Sequence, residues 1–238
     1  FSLPLMFVAV ITTLMTWTDT LMLGYFKNAE MVGLYNTASP LGKFISSALG
    51  AMLFVYMPVA SDLHANKKSD ELRRSYAVLT KWLCTFTFPL LMIFLLFPNV
   101  VLGFLFGNEY VLASVALQIL SVGFFVNNLL GPNAATFTVI GKTRFLMYSV
   151  FFTLIVNILL NLFLIPKYGI AGAALATSVA VILLNSIRAI KLYSLKKIHS
   201  LTKNLLKPIL LSAFVVVFLY FISKRFLLVT YWMLPVLF

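Results

Sequence analysis

Acidic residues are scarce in this chain. Its 238 residues include 6 Asp+Glu against 18 Lys+Arg, which gives a net charge of +12, and only 10% of all residues are charged. Hydrophobic residues make up 62%, and the mean hydropathy is +1.03. So few charged side chains cannot form the solvated surface of a soluble domain of this size. The composition therefore predicts a protein that lies in a lipid bilayer.

Cysteine and histidine are nearly absent as well. The single Cys84 excludes an internal disulfide and a cysteine metal cluster. His64 and His199 lie between apolar spans without a second ligand at metal spacing. The sequence has no glycine-rich phosphate loop and no Ser-His-Asp pattern. We therefore expect no metal site, no bound cofactor and no enzyme activity.

Long apolar runs dominate what is there. Charged and turn residues divide the chain into eight apolar spans: 4–26, 31–61, 77–97, 111–140, 145–165, 170–190, 208–223 and a last one from 226. Most match the ~20 residues that a membrane helix needs, and they lack the alternation of barrel strands. The fold class is predicted to be all-α, a polytopic integral membrane helix bundle of about eight transmembrane helices. We expect the last helix to be truncated, because only residues 226–238 remain for it.

The basic residues mark the connections rather than a nucleic-acid surface. They concentrate after spans two, four and six, as Lys67, Lys68, Arg73, Arg74, Lys142, Arg144 and the run from Arg188 to Lys207. Cytoplasmic connections are enriched in Lys and Arg. The bias predicts a multi-pass protein of the cell membrane whose first residues lie on the cytoplasmic side. The run from Arg188 to Lys207 is either an amphipathic helix on the inner leaflet or a plain connecting helix.

One carboxylate lies inside the first span. Asp19 is the only charged residue between Pro4 and Phe26, and it shares a helix face with Thr12 and Thr16. Ionisable groups at membrane depth usually face a protein interior or a wet cavity. Asp19 is therefore either a structural carboxylate, satisfied by neighbouring threonine hydroxyls or paired with Lys43, or an ion-coupling group that binds Na⁺ or H⁺.

Further polar residues occur in spans two and five. Span two carries a polar or small stripe of Asn36, Ser39, Lys43, Ser46 and Gly50. Lys43 is either part of a structural ion pair or an anion contact for a phosphate-bearing substrate. Asn157 and Asn161 share one face of span five, where amides either join helices or line a cavity. The candidate substrate- or ion-binding residues are Asp19, Lys43, Asn36, Asn157 and Asn161.

Several short segments resemble a known family in their order and spacing. They are Asp19-Thr-Leu-Met-Leu-Gly24 with Val32-Gly-Leu-Tyr35, Pro58-Val-Ala-Ser-Asp-Leu63, Phe106-Gly-Asn-Glu-Tyr110 and Ile165-Pro-Lys-Tyr-Gly-Ile-Ala-Gly-Ala-Ala-Leu-Ala-Thr177. The chain thereby resembles the lipid-linked oligosaccharide flippases, or polysaccharide biosynthesis exporters, of the multidrug/oligosaccharidyl-lipid/polysaccharide (MOP) transporter superfamily.

The resemblance implies two six-helix lobes around a central cavity, followed by an extra helix pair. Residues 1–192 would be the second lobe, and residues 193–238 an amphipathic linker with the extra pair, the last helix being truncated. It also implies alternating-access translocation of a lipid-pyrophosphate-linked oligosaccharide. The partners would be a polyprenyl-pyrophosphate-linked oligosaccharide, membrane lipids and glycan-assembly enzymes, and the transporter would be a monomer. The resemblance transfers no specific ligand-binding residue.

Two other functions remain open. A cation-coupled multidrug exporter of the same superfamily would be favoured by a cluster of acidic residues in the cavity, and only Asp19 lies inside a span. An integral membrane glycan polymerase or ligase would need a sizeable outer loop with carboxylates, Arg or His. The predicted outer connections are short and offer only Glu30 and Glu109, which disfavours this third function.

Overall fold

The computed structural model describes residues 2–199, which are almost entirely helical and contain no strand. The helices are α1 (Ser2–Phe26), α2 (Ala29–Ala65), α3 (Ser69–Leu96), α4 (Pro98–Phe106), α5 (Ser114–Leu129), α6 (Asn133–Val139) and α7 (Thr143–Lys196), with a 3-10 helix at Asn108–Ala113 before α5. The predicted all-α class is confirmed.

Five segments of the described residues are long and apolar enough to cross a membrane. They are α1, α2, α3, the segment Asn108–Val139 and α7. The first four correspond to the first four apolar spans of the sequence. Spans five and six both fall within the 54 residues of α7. Spans 208–223 and from 226 lie outside the described residues, so the total of eight stays a prediction, as does the boundary at 192.

The long helix α7 reverses direction at Gly169. Asn161 and Thr177 both donate hydrogen bonds to the carboxylate of Asp19. A straight helix would separate these two residues by about 24 Å. Gly169 has φ 56° and ψ −128°, a non-helical conformation that glycine adopts most easily. The α7 segment is therefore a hairpin with a first arm at 143–168 and a second arm at 170–196, and each arm is long enough to cross a bilayer.

Small residues let the second arm pack closely. A side chain on Gly172 would overlap the carbonyl of Leu164, which precedes the turn. Ala173, Ala174 and Ala176 are fully buried. The tight turn sets the register of the hairpin, and residues at equal distances from Gly169 come to lie opposite each other. The contact between Ser149 and Arg188 lies within one residue of this register, with 3.1 Å between Oγ and Nε.

Helix α5 lies at the centre of the bundle and contacts α2, α3 and the α7 hairpin. Leu117 and Leu120 of α5 are completely buried. The segment breaks at Gly131-Pro132 before α6. There the Tyr76 hydroxyl of α3 contacts the Leu130 carbonyl oxygen at 2.5 Å and Asn133 Oδ1 at 2.7 Å. Polar groups freed by the break are thus satisfied inside the protein, as the hydrocarbon core requires.

Candidate functional site

The carboxylate of Asp19 lies where α1, α2 and both arms of α7 meet. Its Oδ2 accepts hydrogen bonds from the Tyr35 hydroxyl at 2.8 Å and from the Thr177 hydroxyl. Its Oδ1 accepts from Asn161 Nδ2 at 2.8 Å and, at 3.4 Å, from Asn157 Nδ2. We call these five residues the Asp19 cluster. Thr177 is partly buried, and the other four are buried.

Helix lengths and turns bring the cluster to one level. The side chain of Asn28 caps α2 by accepting from the Met31 amide at 2.9 Å. This cap reverses the chain after α1, so Tyr35 returns to the depth of Asp19. Asn161 and Thr177 are each eight residues from Gly169 and therefore lie opposite each other in the hairpin. The connection and the hairpin turn also touch, because Lys27 Nζ donates to the Pro166 carbonyl at 3.0 Å.

The Asp19 carboxylate has no positively charged side chain paired with it in the cluster. Every donor to Asp19 is a neutral group, and no Lys or Arg among the described residues forms an ion pair with it. An isolated buried carboxylate is costly unless it is paired or neutralised. The side-chain oxygen of Asn161 is also buried and has no hydrogen-bond partner among the described residues. The cluster thus offers a negative charge and a free acceptor to a positive species.

A proton or a small hard cation matches this set of groups. Hard cations prefer oxygen ligands, and the cluster holds carboxylate, hydroxyl and amide oxygens. The orientation of each asparagine amide is assigned from the hydrogen-bond network. With a cation present, rotating the Asn157 and Asn161 amides would exchange their NH₂ groups for oxygens. The same residues can therefore hold the carboxylate in a cation-free state and coordinate a cation in a bound state.

The structure does not pair Asp19 with Lys43, and the threonine hydroxyl that donates to Asp19 belongs to Thr177 in the second arm of α7. The hydroxyls of Thr12 and Thr16 donate to backbone carbonyls one turn earlier in α1, at 2.7 Å and 3.2 Å, rather than to Asp19. Lys43 makes no ion pair with Asp19. Lys43 is half-buried and lies eight residues beyond Tyr35 on α2, or about 12 Å along the helix.

The structure brings together three of the five candidate residues, namely Asp19, Asn157 and Asn161. Asn36 is exposed on α2, where its Oδ1 accepts from the Thr20 hydroxyl at 3.2 Å, so it lies beside the cluster but does not reach the carboxylate. Tyr35 and Thr177 complete the site but were not among the predicted site residues, although both end segments that resemble the family. Tyr35 carries no charge that would single it out. Thr177 and Asn161 are equally far from Gly169, and this spacing could have indicated Thr177.

Arg188 differs most from its predicted position. The charge pattern put it in the connection after span six, but it lies in the second arm of α7 and is 5% exposed. Its Nε donates to Ser149 Oγ, and its Nη2 has no partner among the described residues. Residues 2–199 include all six acidic side chains of the chain, and none of them pairs with Arg188. The other Lys and Arg residues still lie mainly in the connections after spans two, four and six, so the charge bias that predicts the orientation is kept.

Replacing Arg188 tests whether this buried charge stabilises the bundle. We expect Arg188→Met in the full-length protein to unfold at an equal or higher temperature in detergent. Methionine retains volume and removes the desolvation cost of an unpaired guanidinium. Ser149→Ala, which removes only the hydroxyl partner, is the matched control and should lower the unfolding temperature slightly. An unfolding temperature of Arg188→Met below that of the unsubstituted protein would contradict this expectation.

Comparisons with known proteins agree with the fold. Residues 1–116 match the family described as "Polysaccharide biosynthesis protein". An uncharacterised membrane protein of Methanocaldococcus jannaschii is 32% identical over 169 residues, which cover 68% of this chain and 32% of that protein. The probable flippase AglR of Haloferax volcanii is 29% identical, over 74% of this chain and 37% of its own length.

Two further matches extend the relationship. A putative O-antigen transporter of Shigella flexneri is 27% identical over 73% of this chain and 41% of its own length. The outward-facing structure of a multidrug resistance MATE family transporter of the MOP superfamily has a TM-score of 0.64 at 20% identity, covering 88% of this chain and 49% of that chain. This chain spans between 32% and 41% of these curated relatives. The resemblance read from the sequence is confirmed in these terms: the chain is a multi-pass membrane protein, its residues 1–116 match the polysaccharide biosynthesis family, its relatives include a probable flippase and a putative O-antigen transporter, and its fold is similar to that of the MATE transporter structure.

Proposed function

We propose that the full-length protein translocates a lipid-pyrophosphate-linked oligosaccharide across the cell membrane by alternating access. The observation that carries the proposal is the Asp19 cluster, a buried carboxylate held only by neutral donors in a chain whose residues 1–116 match the polysaccharide biosynthesis family. Relatives named as flippases and as an O-antigen transporter support translocation of a glycan. The residues described here would form the second lobe, with the chain start on the cytoplasmic side.

Cation binding at the Asp19 cluster would couple an ion gradient to the movement of the lobe. The cluster joins α1, α2 and the two arms of α7 through one carboxylate. A ligand shifts a conformational equilibrium only when it binds the two states differently. Proton or Na⁺ binding would rearrange the donors of three segments at once, and a change in their packing would favour one orientation of the cavity. Asp19, Asn157 and Asn161 would be the ion-binding residues, with Tyr35 and Thr177.

Lys43 would contact the pyrophosphate head of the substrate. It lies on the same helix as Tyr35, is half-buried and forms no ion pair among the described residues. A flexible ammonium group suits a phosphate that passes through several positions. Asn36 would add a polar contact on the same stripe. The substrate would be a polyprenyl-pyrophosphate-linked oligosaccharide supplied by glycan-assembly enzymes, and the transporter would act as a monomer.

The test is translocation in proteoliposomes that contain the full-length protein. We expect a fluorescent pyrophosphate-linked polyprenyl oligosaccharide to cross faster than in protein-free liposomes, and an ion gradient to change the rate. Lys43→Gln should raise the substrate concentration needed for half-maximal rate by about tenfold. This factor corresponds to the loss of ~1.4 kcal/mol of binding free energy from one charge contact. Lys167→Gln, which removes an exposed charge at the hairpin turn, is the control. An unchanged half-saturation concentration in Lys43→Gln would contradict the phosphate contact.

A cation-coupled multidrug exporter is the second candidate. The similarity to the MATE transporter structure favours it, because that protein has the same fold. The same proteoliposomes distinguish the two functions. Efflux of organic cations without transfer of any lipid-linked oligosaccharide would assign the protein to the exporters.

A further inference from the structure

A long groove runs between α2 and α3 on the outer surface of the bundle. Its volume is about 720 Å³, and its apolar walls are formed by Met52, Val55 and Val59 from α2 and by Leu79 and Trp82 from α3. Val55 is 71% exposed and Trp82 is 50% exposed. Both walls therefore present apolar side chains outward rather than to the core of the bundle.

A cationic pocket borders this groove. The pocket has a volume of about 460 Å³ and is lined by five basic side chains, Arg73, Arg74, Lys81, Lys197 and His199. Arg74 and Val78 line both the pocket and the groove. The two spaces therefore adjoin along Arg74 and Val78, and together they form one amphipathic site, charged at one side and apolar along its length.

The positive charge of the pocket is only partly compensated. Arg73 Nη1 pairs with Asp70 at 2.7 Å, and its Nε donates to the Lys196 carbonyl at 2.8 Å. Glu71, which lies at the charged end of the groove, pairs with Lys68 at 3.1 Å. Arg74, Lys81 and Lys197 form no ion pair within residues 2–199, and these include every acidic residue of the chain. An anion at this pocket must come from another molecule.

The depth of the groove matches one leaflet. The α2 wall extends from Met52 to Leu63, which is about 16 Å along a helix. Half of a ~30 Å hydrocarbon core is about 15 Å. An acyl chain that reaches from the headgroup level to the bilayer centre would lie along the groove, whereas a much longer polyprenyl chain would extend past it.

We propose that this amphipathic site binds an anionic glycerophospholipid, with its phosphate at Arg74, Lys81 and Lys197 and one acyl chain in the groove between α2 and α3. Phosphate groups attract Lys and Arg side chains near the membrane surface, and a basic pocket beside a transmembrane helix is typical of anionic lipid recognition. The site lies apart from the Asp19 cluster, which is formed by α1, α2 and α7. The lipid site therefore does not depend on the proposed transport function being correct.

Trp82 provides a direct readout because it lines the apolar part of the site. The test uses full-length protein in which every other tryptophan is replaced by Phe, reconstituted into mixed phosphatidylglycerol and phosphatidylcholine vesicles. In one preparation only the phosphatidylglycerol carries brominated acyl chains, which quench tryptophan fluorescence on contact. In the other preparation only the phosphatidylcholine carries brominated acyl chains, and the brominated lipid is present at the same mole fraction. We expect brominated phosphatidylglycerol to quench Trp82 at least twofold more strongly.

Two double variants show whether the cationic pocket causes this preference. Arg74→Gln with Lys81→Gln should reduce the difference between the two brominated lipids to nearly zero. Lys142→Gln with Arg144→Gln removes the same charge from the connection between α6 and α7 and should leave the difference unchanged. The comparison of the two lipids on the unsubstituted pocket needs neither variant, so it stands even when a variant fails to fold.

Three results would overturn the proposal. Equal quenching by the two lipids would mean that the groove has no preference for an anionic headgroup. The absence of quenching by either lipid would mean that protein covers the groove, for example residues 200–238 of this chain. Relief of quenching by stoichiometric polyprenyl phosphate would assign the groove to the lipid carrier instead of a glycerophospholipid.

Discussion

Asp19→Asn is expected to abolish the dependence of translocation on an ion gradient while leaving membrane insertion intact. Asparagine keeps the size of the side chain but loses the negative charge that a proton or cation would neutralise. The new amide has one acceptor oxygen where the carboxylate had two, so it cannot accept every hydrogen bond that Asn157, Asn161 and Thr177 donate to Asp19. Coupling between two binding sites is typically worth about 5–150-fold in affinity, and we expect the transfer rate with the gradient to fall to the rate without it. The measurement is transfer of the fluorescent lipid-linked oligosaccharide with and without the gradient.

Asp62→Asn is the matched control for this variant. Asp62 is an exposed carboxylate near the end of α2, where it accepts from Asn66 Nδ2 at 3.0 Å. The same chemical change there should leave the gradient effect unchanged. If Asp19→Asn responds to proton and Na⁺ gradients as the unsubstituted protein does, Asp19 is a structural carboxylate and the coupling proposal fails.

Gly172→Ala is expected to destabilise the protein and to disturb the Asp19 cluster. The new methyl group would overlap the Leu164 carbonyl across the hairpin turn, and a backbone group in a tight turn has little room to move. Overpacking of this kind costs about 1–3 kcal/mol. The second arm would shift along the first, and Thr177 lies only five residues beyond the substitution. Thermal unfolding of the full-length protein in detergent measures the loss of stability.

Gly33→Ala is the control for the glycine substitution. No neighbouring atom lies within 4 Å of a Cβ added to Gly33 in α2. Alanine there should be neutral or slightly stabilising, because it favours the helix more than glycine does. An equal unfolding temperature for Gly172→Ala and Gly33→Ala would show that the hairpin turn tolerates the methyl group, and the close packing assigned to Gly172 would be wrong.

The membrane helices were predictable from the sequence because the length of an apolar run determines whether it can cross the bilayer. Spans of about 20 apolar residues have few alternatives in a bilayer. Asp19, Asn157 and Asn161 stood out for the same reason, since polar groups at membrane depth need a partner. Their mutual contact was not predictable, because it depends on which helix faces meet.

The errors also have physical causes. One of the alternatives for Asp19, its pairing with Lys43, relied on opposite charges in two neighbouring spans. Tyr35 lies at the depth of Asp19 and supplies a neutral donor, while Lys43 lies farther along α2. Arg188 was assigned to a connection because it stands close to other cations in the sequence. The register about Gly169 instead aligns it with Ser149 inside the bundle.

The most direct test of the account is an infrared difference spectrum of the Asp19 carboxyl in the full-length protein, recorded while Na⁺ is added and while the pH is changed. A buried, protonated carboxyl group has a C=O band that a carboxylate lacks. We predict such a band that disappears when Na⁺ binds or the proton leaves, is missing from Asp19→Asn, and persists in Asp62→Asn. If no band that depends on Asp19 responds to Na⁺ or to pH, the Asp19 cluster is not the site of cation coupling.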